Sequence, residues 1–255
     1  MITKNKKPKV AIISLTSCEG CQFVMLDQGQ RFLELSKKID IGDFRLIKED
    51  PKDENYDICF VEGNPITNDN IKLLKEMRKK SKLLVVLGNC AALGGVWELK
   101  NYQAKKKTIR SVYKNIMKVA NPEIKEVDNF VKVDLTIPGC PIDGDEFMEV
   151  VYQLLAGKIP RLAQNPVCYE CQLNGSECLL QKGEICLGPI TLAGCKAVCL
   201  KSKQACWGCR GLFEGAQVEN LMTLLKKNFN KDEIYRVMEV FGLKDDVMDK
   251  LQNKK

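Results

Sequence analysis

Residues 83–95 read L-L-V-V-L-G-N-C-A-A-L-G-G, an apolar run of five residues that passes directly into a glycine-bounded turn with a cysteine inside it. A short, continuous apolar run bounded by turn residues is typical of a strand buried on both faces of a parallel sheet. We therefore predict a strand over residues 83–87, followed by a turn that carries Cys90. Because parallel strands need long crossover connections, the flanking sequence should alternate helices with further strands.

The sequence on both sides of this strand does alternate in this way. Apolar runs predict strands at residues 10–15, 44–47, 58–61 and 131–137, and helical spacing predicts helices at 23–38, 68–80 and 106–119. Asp143 is expected to cap a further helix, with Glu146 three residues later completing a capping box. This order predicts an α/β fold, a doubly wound parallel sheet of flavodoxin-like type.

Four of the thirteen cysteines follow predicted strands, and the chain has no histidine. Cys18 and Cys21 follow the first strand, Cys90 the fourth and Cys140 the fifth. The carboxyl ends of parallel strands meet at one edge of a sheet, where open α/β folds bind ligands. We therefore expect these four thiols to converge, with the turn at residues 62–65 beside them.

Eight further cysteines lie between residues 168 and 209: Cys168, Cys171, Cys178, Cys186, Cys195, Cys199, Cys206 and Cys209. Residues 165–215 are rich in glycine and lack the apolar periodicity of an ordinary core, so this segment is expected to need metal to fold. We predict two domains, a flavodoxin-like domain over 1–160 and a loop-rich, cysteine-rich iron–sulfur domain over 161–255. Short C-terminal helices at 218–229 and 232–241 should pack on the body. Cys59 lies mid-strand and is interpreted as a buried structural thiol.

The net charge and the expected cellular compartment limit the classes of partner that the chain can bind. The formal net charge is +7 but the basic residues are scattered, so we expect no nucleic acid. Three oxidised cubane clusters, each about −2 with its four thiolates, would lower that charge by about 6. The N-terminal apolar run is too short for a signal peptide and no run has transmembrane length, which predicts a cytoplasmic chain without membrane insertion. In that compartment, paired cysteines favour metal over disulfides.

Twelve of the cysteines divide into three sets of four, and tetrathiolate ligation is the usual way to hold cubane iron–sulfur clusters. Structural zinc is the alternative, and a non-enzymatic zinc-binding interaction module is the competing class of function. In the first set the ligands come from three separate strand ends, which favours a cluster over zinc. The glycines of 88–95 match neither the dinucleotide-binding fingerprint nor the phosphate loop.

The chain resembles the small subunit of nickel–iron hydrogenases along nearly its whole length. The motifs occur in the family's order: C-E-G-C-Q at 18–22, G-N-C-A-A-L-G-G at 88–95, I-P-G-C-P-I-D at 137–143, C-L-G-P-I-T-L-A-G-C at 186–195 and C-W-G-C-R-G at 206–211. The resemblance implies three 4Fe–4S clusters. The implied ligands are Cys18, Cys21, Cys90 and Cys140 for a proximal cluster, Cys195, Cys199, Cys206 and Cys209 for a medial one, and Cys168, Cys171, Cys178 and Cys186 for a distal one.

Two positions refine the resemblance. Membrane and periplasmic relatives commonly have histidine where Cys168 stands and proline where Cys199 stands, and thiolate in place of imidazole tends to lower the cluster potential. The chain therefore most resembles the subunits of cytoplasmic, multi-subunit hydrogenases, and among them the delta subunit of NAD(P)-linked sulfhydrogenases.

The resemblance also implies the reaction and the partners. Electrons from reversible dihydrogen oxidation would pass between a large subunit and flavin/NAD(P)-binding and ferredoxin-like electron-transfer subunits. The nickel–iron centre, FAD and NAD(P) are expected only on those partners. Delivery to a heterodisulfide reductase or a ferredoxin is the alternative within the family. A quinone-oxidoreductase subunit of complex I type is the alternative outside it, against which the second group of eight cysteines argues.

Glu19 is the candidate catalytic residue because it is a carboxylate between two implied ligands, Cys18 and Cys21. Dihydrogen oxidation releases protons in a buried site, and these need titratable groups on which to leave. The functional interpretation is a proton relay. The competing interpretation is a structural carboxylate that hydrogen-bonds to nearby backbone amides or to the partner subunit.

Overall fold

The computed structural model describes residues 7–48, 54–104, 109–111, 113–114 and 122–252. The chain forms two compact units. The first unit comprises Met1–Ala92 with Lys125–Arg161, and the second comprises Leu93–Ile124 with Leu162–Lys255. The segment 93–124, which precedes the fifth strand in sequence, thus belongs with the cysteine-rich part of the chain.

The first unit is built on a five-stranded parallel sheet, as predicted. Its strands are β1 (Lys9–Ser14), β2 (Asp40–Phe44), β3 (Tyr56–Glu62), β4 (Ser81–Leu87) and β5 (Leu135–Ile137). Their order across the sheet is β2-β1-β3-β4-β5, and every neighbouring pair is parallel. The α/β doubly wound prediction is therefore confirmed.

Two strand predictions were wrong in their bounds. The second strand ends at Phe44 and does not run over 44–47, because the N–H groups of Ile47 and Lys48 both donate to the Phe44 carbonyl and form a turn. The fifth strand contains only Leu135–Ile137 of the predicted 131–137. In both cases apolar residues that lie next to the strand, but outside it, made the predicted strand extend too far.

The helices of the first unit are α1 (Gly20–Leu26), α2 (Gln30–Ser36), α3 (Asn68–Lys80), α4 (Gly88–Leu93, whose last residue lies in the second unit) and α5 (Gly144–Leu155). The single helix predicted over 23–38 is wrong: the chain breaks at Gly29, whose φ of 54° no right-handed helix allows. The apolar face nevertheless continues through both pieces, with Met25 and Phe32 buried. Asp143 caps α5 as predicted, accepting hydrogen bonds from the N–H groups of Asp145 and Glu146 at 3.0 Å each. The helix predicted over 106–119 lies largely outside the described residues.

Buried strand residues form the core of the first unit. Phe60 of β3 contacts Phe147 of α5 edge to face, with ring centroids 5.6 Å apart, and on the other face of the sheet the buried cluster includes Leu74, Leu84 and Cys59. Cys59 is completely buried, as its mid-strand position predicted. The sheet is thus covered on both faces, which holds its carboxyl edge as a fixed platform.

The second unit contains a 3₁₀ helix (Gly95–Tyr102) and helices α6 (Val167–Leu173), α7 (Val198–Lys201), α8 (Val218–Leu225), α9 (Lys231–Glu239) and α10 (Leu243–Gln252). The last three helices share a core with Leu187 and Ile190 of the cysteine-rich segment. The prediction that the tail packs within the molecule is therefore confirmed for this unit. Among the residues the structure describes, no helix is long and apolar enough to cross a membrane.

Candidate metal centres

The register of the sheet determines where the first four cysteines lie. Ser14 at the end of β1 pairs in register with Glu62 at the end of β3. Glu62 pairs in turn with Leu87 of β4, and Leu87 pairs with Ile137 of β5. Four strands therefore end side by side. The segments that follow three of them bring four cysteines to the same edge of the sheet: Cys18 in the loop before α1, Cys21 on α1, Cys90 on α4, where a turn was predicted, and Cys140 in the turn after β5.

Glycines allow the thiols and turns at this edge to approach closely. A Cβ atom on Gly88 would collide with the Sγ of Cys21, and the φ of +77° there also favours glycine. The N–H of Asn89 donates to the Gly139 carbonyl at 2.7 Å, which joins the turn after β4 to the turn after β5. The start of α4, which carries Cys90, and the turn that carries Cys140 are thus held together, with the Cys21 thiol against them.

Glu62 is a site residue that the sequence suggested only as part of a bordering turn. Its carboxylate accepts hydrogen bonds from the N–H of Cys21 at 3.0 Å, and from the N–H and side-chain amide of Gln22 at 3.3 and 3.0 Å. Both Glu62 and Gln22 are only 2% exposed. Charged residues are rarely so buried unless they are paired. The signal in the sequence for a buried carboxylate was the position of this glutamate directly after the apolar run at residues 58–61.

Two other polar residues shape this edge. The buried side-chain amide of Asn64 donates to the Cys90 carbonyl at 2.6 Å. Glu19 is half-buried in the left-handed backbone conformation, with φ 61°, and its N–H donates to the Ser17 hydroxyl at 3.2 Å. The place of Glu19 beside the thiols agrees with its sequence position, and its role in proton transfer stays a prediction.

Two thiols of this set, those of Cys21 and Cys140, are in surroundings that disfavour their ionisation. Burial, followed by the charge of Glu62, raises the pKa of Cys21, and burial and Cys18 raise the pKa of Cys140. Such thiols ionise when bound cations compensate the thiolate charge, as in metal sites. The four convergent thiols therefore fit an iron–sulfur cluster, whose chemistry is reversible one-electron transfer.

A second set of thiols gathers around α6. Cys168 and Cys171 lie on this helix, and burial together with the thiols of Cys186, Cys171 and Cys178 raises the pKa of Cys168 to about 11. A Cβ atom on Gly188 would lie 3.4 Å from the Sγ of Cys168 and 3.5 Å from that of Cys186. The structure thus brings together the four cysteines that the resemblance assigned to a distal cluster.

The remaining set surrounds α7. Cys199 lies on this helix. Burial is the largest effect that raises the pKa of Cys195 and of Cys206, and the nearby thiols of Cys199 and Cys209, respectively, raise it further. The N–H of Cys206 donates to the Sγ of Cys186 at 3.4 Å, so the two sets of the second unit are in direct contact.

All thirteen cysteines are free thiols, so the structure pairs none of them in a disulfide. Within the described ranges, no group of three or more His, Cys, Asp or Glu side chains is arranged to hold a single metal ion. The ligands of a cubane cluster, by comparison, contact four different iron atoms and surround a larger space than the ligands of one ion.

Comparison with known proteins identifies the family. The family model of the NADH ubiquinone oxidoreductase 20 Kd subunit matches residues 18–154. Sulfhydrogenase 2 subunit delta of Pyrococcus furiosus is 35% identical over 92% of this chain and 99% of its own length. One subunit of an F420-non-reducing hydrogenase of Methanocaldococcus jannaschii is 33% identical over 80% of this chain and 81% of its own length.

A third relative, subunit delta of the NAD-reducing hydrogenase HoxS from Cupriavidus necator, is 34% identical over 60% of this chain and 80% of its own length. These matches and the converging thiols confirm the resemblance seen in the sequence motifs. The chain therefore belongs to the nickel–iron hydrogenase small subunits of delta type, within the wider family of the NADH ubiquinone oxidoreductase 20 Kd subunit, and is the electron-transfer subunit of such a complex.

Proposed function

We propose that this chain conducts electrons through three 4Fe–4S clusters between the nickel–iron site of a large subunit and a flavin- and NAD(P)-binding partner, in the cytoplasm. The observation that carries the proposal is the gathering of twelve cysteines into three sets, one at the sheet edge and two around α6 and α7. The proximal ligands are Cys18, Cys21, Cys90 and Cys140, the medial ligands are Cys195, Cys199, Cys206 and Cys209, and the distal ligands are Cys168, Cys171, Cys178 and Cys186.

The chain's own residues hold the ligands in place. At the sheet edge, Glu62 fixes the start of α1, which carries Cys21, and Asn64 fixes the carbonyl of Cys90. In the second unit the contact between the Cys206 N–H and the Cys186 thiol supports a direct route between the medial and distal sets. A bound 4Fe–4S cluster supplies one-electron chemistry at potentials that depend on charge and hydrogen bonds to its sulfurs.

NAD(P) as the terminal acceptor rests on the relative that is named an NAD-reducing hydrogenase and on the all-thiolate ligand sets. A second candidate follows from the relative named F420-non-reducing hydrogenase, which covers more of the chain. In that candidate the electrons pass to a heterodisulfide reductase or a ferredoxin. The large subunit and the ferredoxin-like and flavin-binding subunits belong to the same proposal as partners.

Metal analysis of the native complex, anaerobically purified, tests the cluster assignment. We expect about twelve iron and twelve sulfide for each copy of this chain, after subtraction of the metal of the other subunits. Zinc in place of iron, or about four iron from one cubane, would overturn it.

Hydrogen-dependent reduction by the same complex tests the acceptor. NAD⁺, NADP⁺, ferredoxin and heterodisulfide are offered in turn, with a viologen dye as a control for hydrogen activation. Reduction of NAD⁺ or NADP⁺ supports the first candidate, and activity with only ferredoxin or heterodisulfide replaces it with the second. The purified chain alone should reduce no dye with hydrogen, because the catalytic metal belongs to another subunit.

A further inference from the structure

Glu170 occupies an unusual place, between two proposed ligands of one cluster and in contact with a proposed ligand of another. It lies on α6 in the sequence C-Y-E-C, between Cys168 and Cys171. Its carboxylate accepts hydrogen bonds from the N–H of Gly194 at 3.0 Å and from the N–H of Ala197 at 3.2 Å. The Sγ of Cys195 lies 3.8 Å from the same carboxylate. One side chain therefore joins both ligand sets of the second unit.

The turn that Glu170 holds is conformationally strained. Gly194, Lys196 and Ala197 have φ values of 119°, 56° and 48°, so three residues around Cys195 have positive φ and two of them are not glycine. Left-handed non-glycine residues persist only where the surroundings fix them. This backbone conformation turns the N–H groups on either side of Cys195 towards one point, where it forms a small anion-binding concavity.

The side chain of the residue that caps the C-terminus of α6 holds the same turn. The amide of Asn174, one helical turn after Glu170, donates to the carbonyl of Lys196 at 2.8 Å. The helix that carries Cys168 and Cys171 thus holds the Cys195 turn at both a carbonyl and two N–H groups. The spacing of the two ligand sets is consequently determined by α6.

The carboxylate of Glu170 also acts electrostatically on Cys195. The Ala197 N–H donates to the sulfur of Cys195 as well as to Glu170, so the carboxylate competes with the sulfur for this donor. Hydrogen bonds to ligand sulfur and positive charge nearby raise the potential of an iron–sulfur cluster, and negative charge lowers it. The buried guanidinium of Arg210, whose Nε donates to the Ala193 carbonyl at 3.0 Å, opposes this effect from another side.

We propose that Glu170 is a positioning residue that orients Cys195 and lowers the reduction potential of the cluster that Cys195 ligates. The proposal rests on the proposed function, since it requires a cluster at the Cys195 set. Loss of the carboxylate charge should make that cluster easier to reduce, because the sulfur gains the Ala197 donor and loses a neighbouring anion. The two other clusters should change less.

The test is a redox titration of the native complex with dithionite, monitored by electron paramagnetic resonance, in wild type and Glu170→Gln. The signal of interest is the one that Cys195→Ser alters. We expect its midpoint potential to rise in Glu170→Gln by on the order of a tenfold change in the reduction equilibrium, about 59 mV for one electron. An unchanged potential with all clusters present would overturn the proposal.

Two further variants separate position from charge. Glu170→Asp keeps the charge and should leave the potential near that of wild type, so an equal rise in Glu170→Asp and Glu170→Gln would contradict the role of charge. Glu177→Gln is the matched control, because Glu177 also neighbours a proposed ligand, Cys178, but pairs with Lys182. An equal shift of the Cys195-dependent signal in Glu177→Gln would reduce the effect to net charge and overturn the proposal.

Iron content keeps the test decisive if Glu170→Gln destabilises the turn. Selective loss of about four iron in Glu170→Gln, with retention in the Glu177→Gln control, supports the positioning role, whereas equal loss in these two variants contradicts it. A wild-type complex without any iron–sulfur signal from this chain would instead refute the proposed function itself, which distinguishes the two failures.

Discussion

The first unit holds its cysteines on a scaffold that is complete without them, whereas the second unit uses its cysteines as part of the core. In the first unit the buried cluster consists of strand and helix side chains, and Cys18 and Cys140 are exposed at the sheet edge. In the second unit one hydrophobic cluster includes Cys186 and Cys206 themselves. We therefore expect ligation to add function to the sheet, but both function and stability to the cysteine-rich segment.

The second unit is not uniform in this respect. Helices α8, α9 and α10 share a core that contains no cysteine, and Leu187 and Ile190 anchor the cysteine-rich segment to it. The expectation that residues 165–215 lack an ordinary core is therefore wrong for Leu187 and Ile190, which belong to the core of these helices. We therefore expect only the part of the second unit around the thiols to depend on bound metal for its folding.

Removal of iron should have the largest effect. In the isolated full chain, chelation after oxidation of the clusters should abolish the hydrogen-exchange protection of backbone amides in residues 167–211. The amides of β1, β3 and β4 should stay protected, because their partners are other strands. Exchange followed by mass spectrometry measures both regions in one sample. Equal loss of protection in the sheet would show that the first unit also needs its ligands to fold.

Glu62→Ala should have the next largest effect, and it should act on the first unit. The variant removes the acceptor of the Cys21 and Gln22 N–H groups and of the Gln22 side chain in a buried site. We expect the free energy of unfolding in urea to fall by at least about 3 kcal/mol, since three buried donors lose their acceptor and each costs about 1–3 kcal/mol.

Glu76→Ala is the control for Glu62→Ala. Glu76 is an exposed helix residue that pairs with Lys80, and such pairs contribute less than about 1 kcal/mol. Equal destabilisation by the two variants would mean that the buried hydrogen bonds at the sheet edge contribute little to the stability of the first unit.

Cys199→Pro should change one cluster without unfolding the second unit. Cys199 lies in the first turn of α7, where proline is tolerated, and the other three ligands of its set remain. We expect a new three-iron signal in electron paramagnetic resonance of the oxidised protein, and the loss of about one iron. A signal and iron content unchanged from wild type would exclude Cys199 as a ligand.

Cys59→Ala should have the smallest effect. Cys59 is completely buried in β3 but belongs to none of the three sets, and burial raises its pKa to about 12. The iron content should stay unchanged, and the free energy of unfolding should fall by about 1 kcal/mol from the small cavity left behind. A loss of iron in this variant would contradict the division of the cysteines into three sets of four.

The sequence alone was sufficient for the class of fold and for the grouping of the first four cysteines. Continuous apolar runs that alternate with segments of helical spacing indicate a parallel sheet covered by helices on both faces. Parallel strands bring their carboxyl ends to one edge of the sheet. The motifs around Cys18, Cys90 and Cys140 were equally informative, because short spacings between ligands and glycines are local properties of the chain.

Tertiary structure decided whatever depends on residues distant in sequence. The sequence shows Glu62 only as a residue at the end of a strand. The fold makes its carboxylate the acceptor for an N–H group at the start of α1, 40 residues away in the chain. The break at Gly29 needed a backbone conformation that an amphipathic pattern does not encode, and the placing of 93–124 with the second unit needed the packing itself.

Glu170 is the clearest case, since a glutamate in C-Y-E-C looks like an ordinary polar residue until the fold places two backbone N–H groups of a distant turn against it. Local patterns identify ligands and strands because their physics acts over a few residues, whereas the partners of a buried carboxylate are determined only when the chain has closed around it.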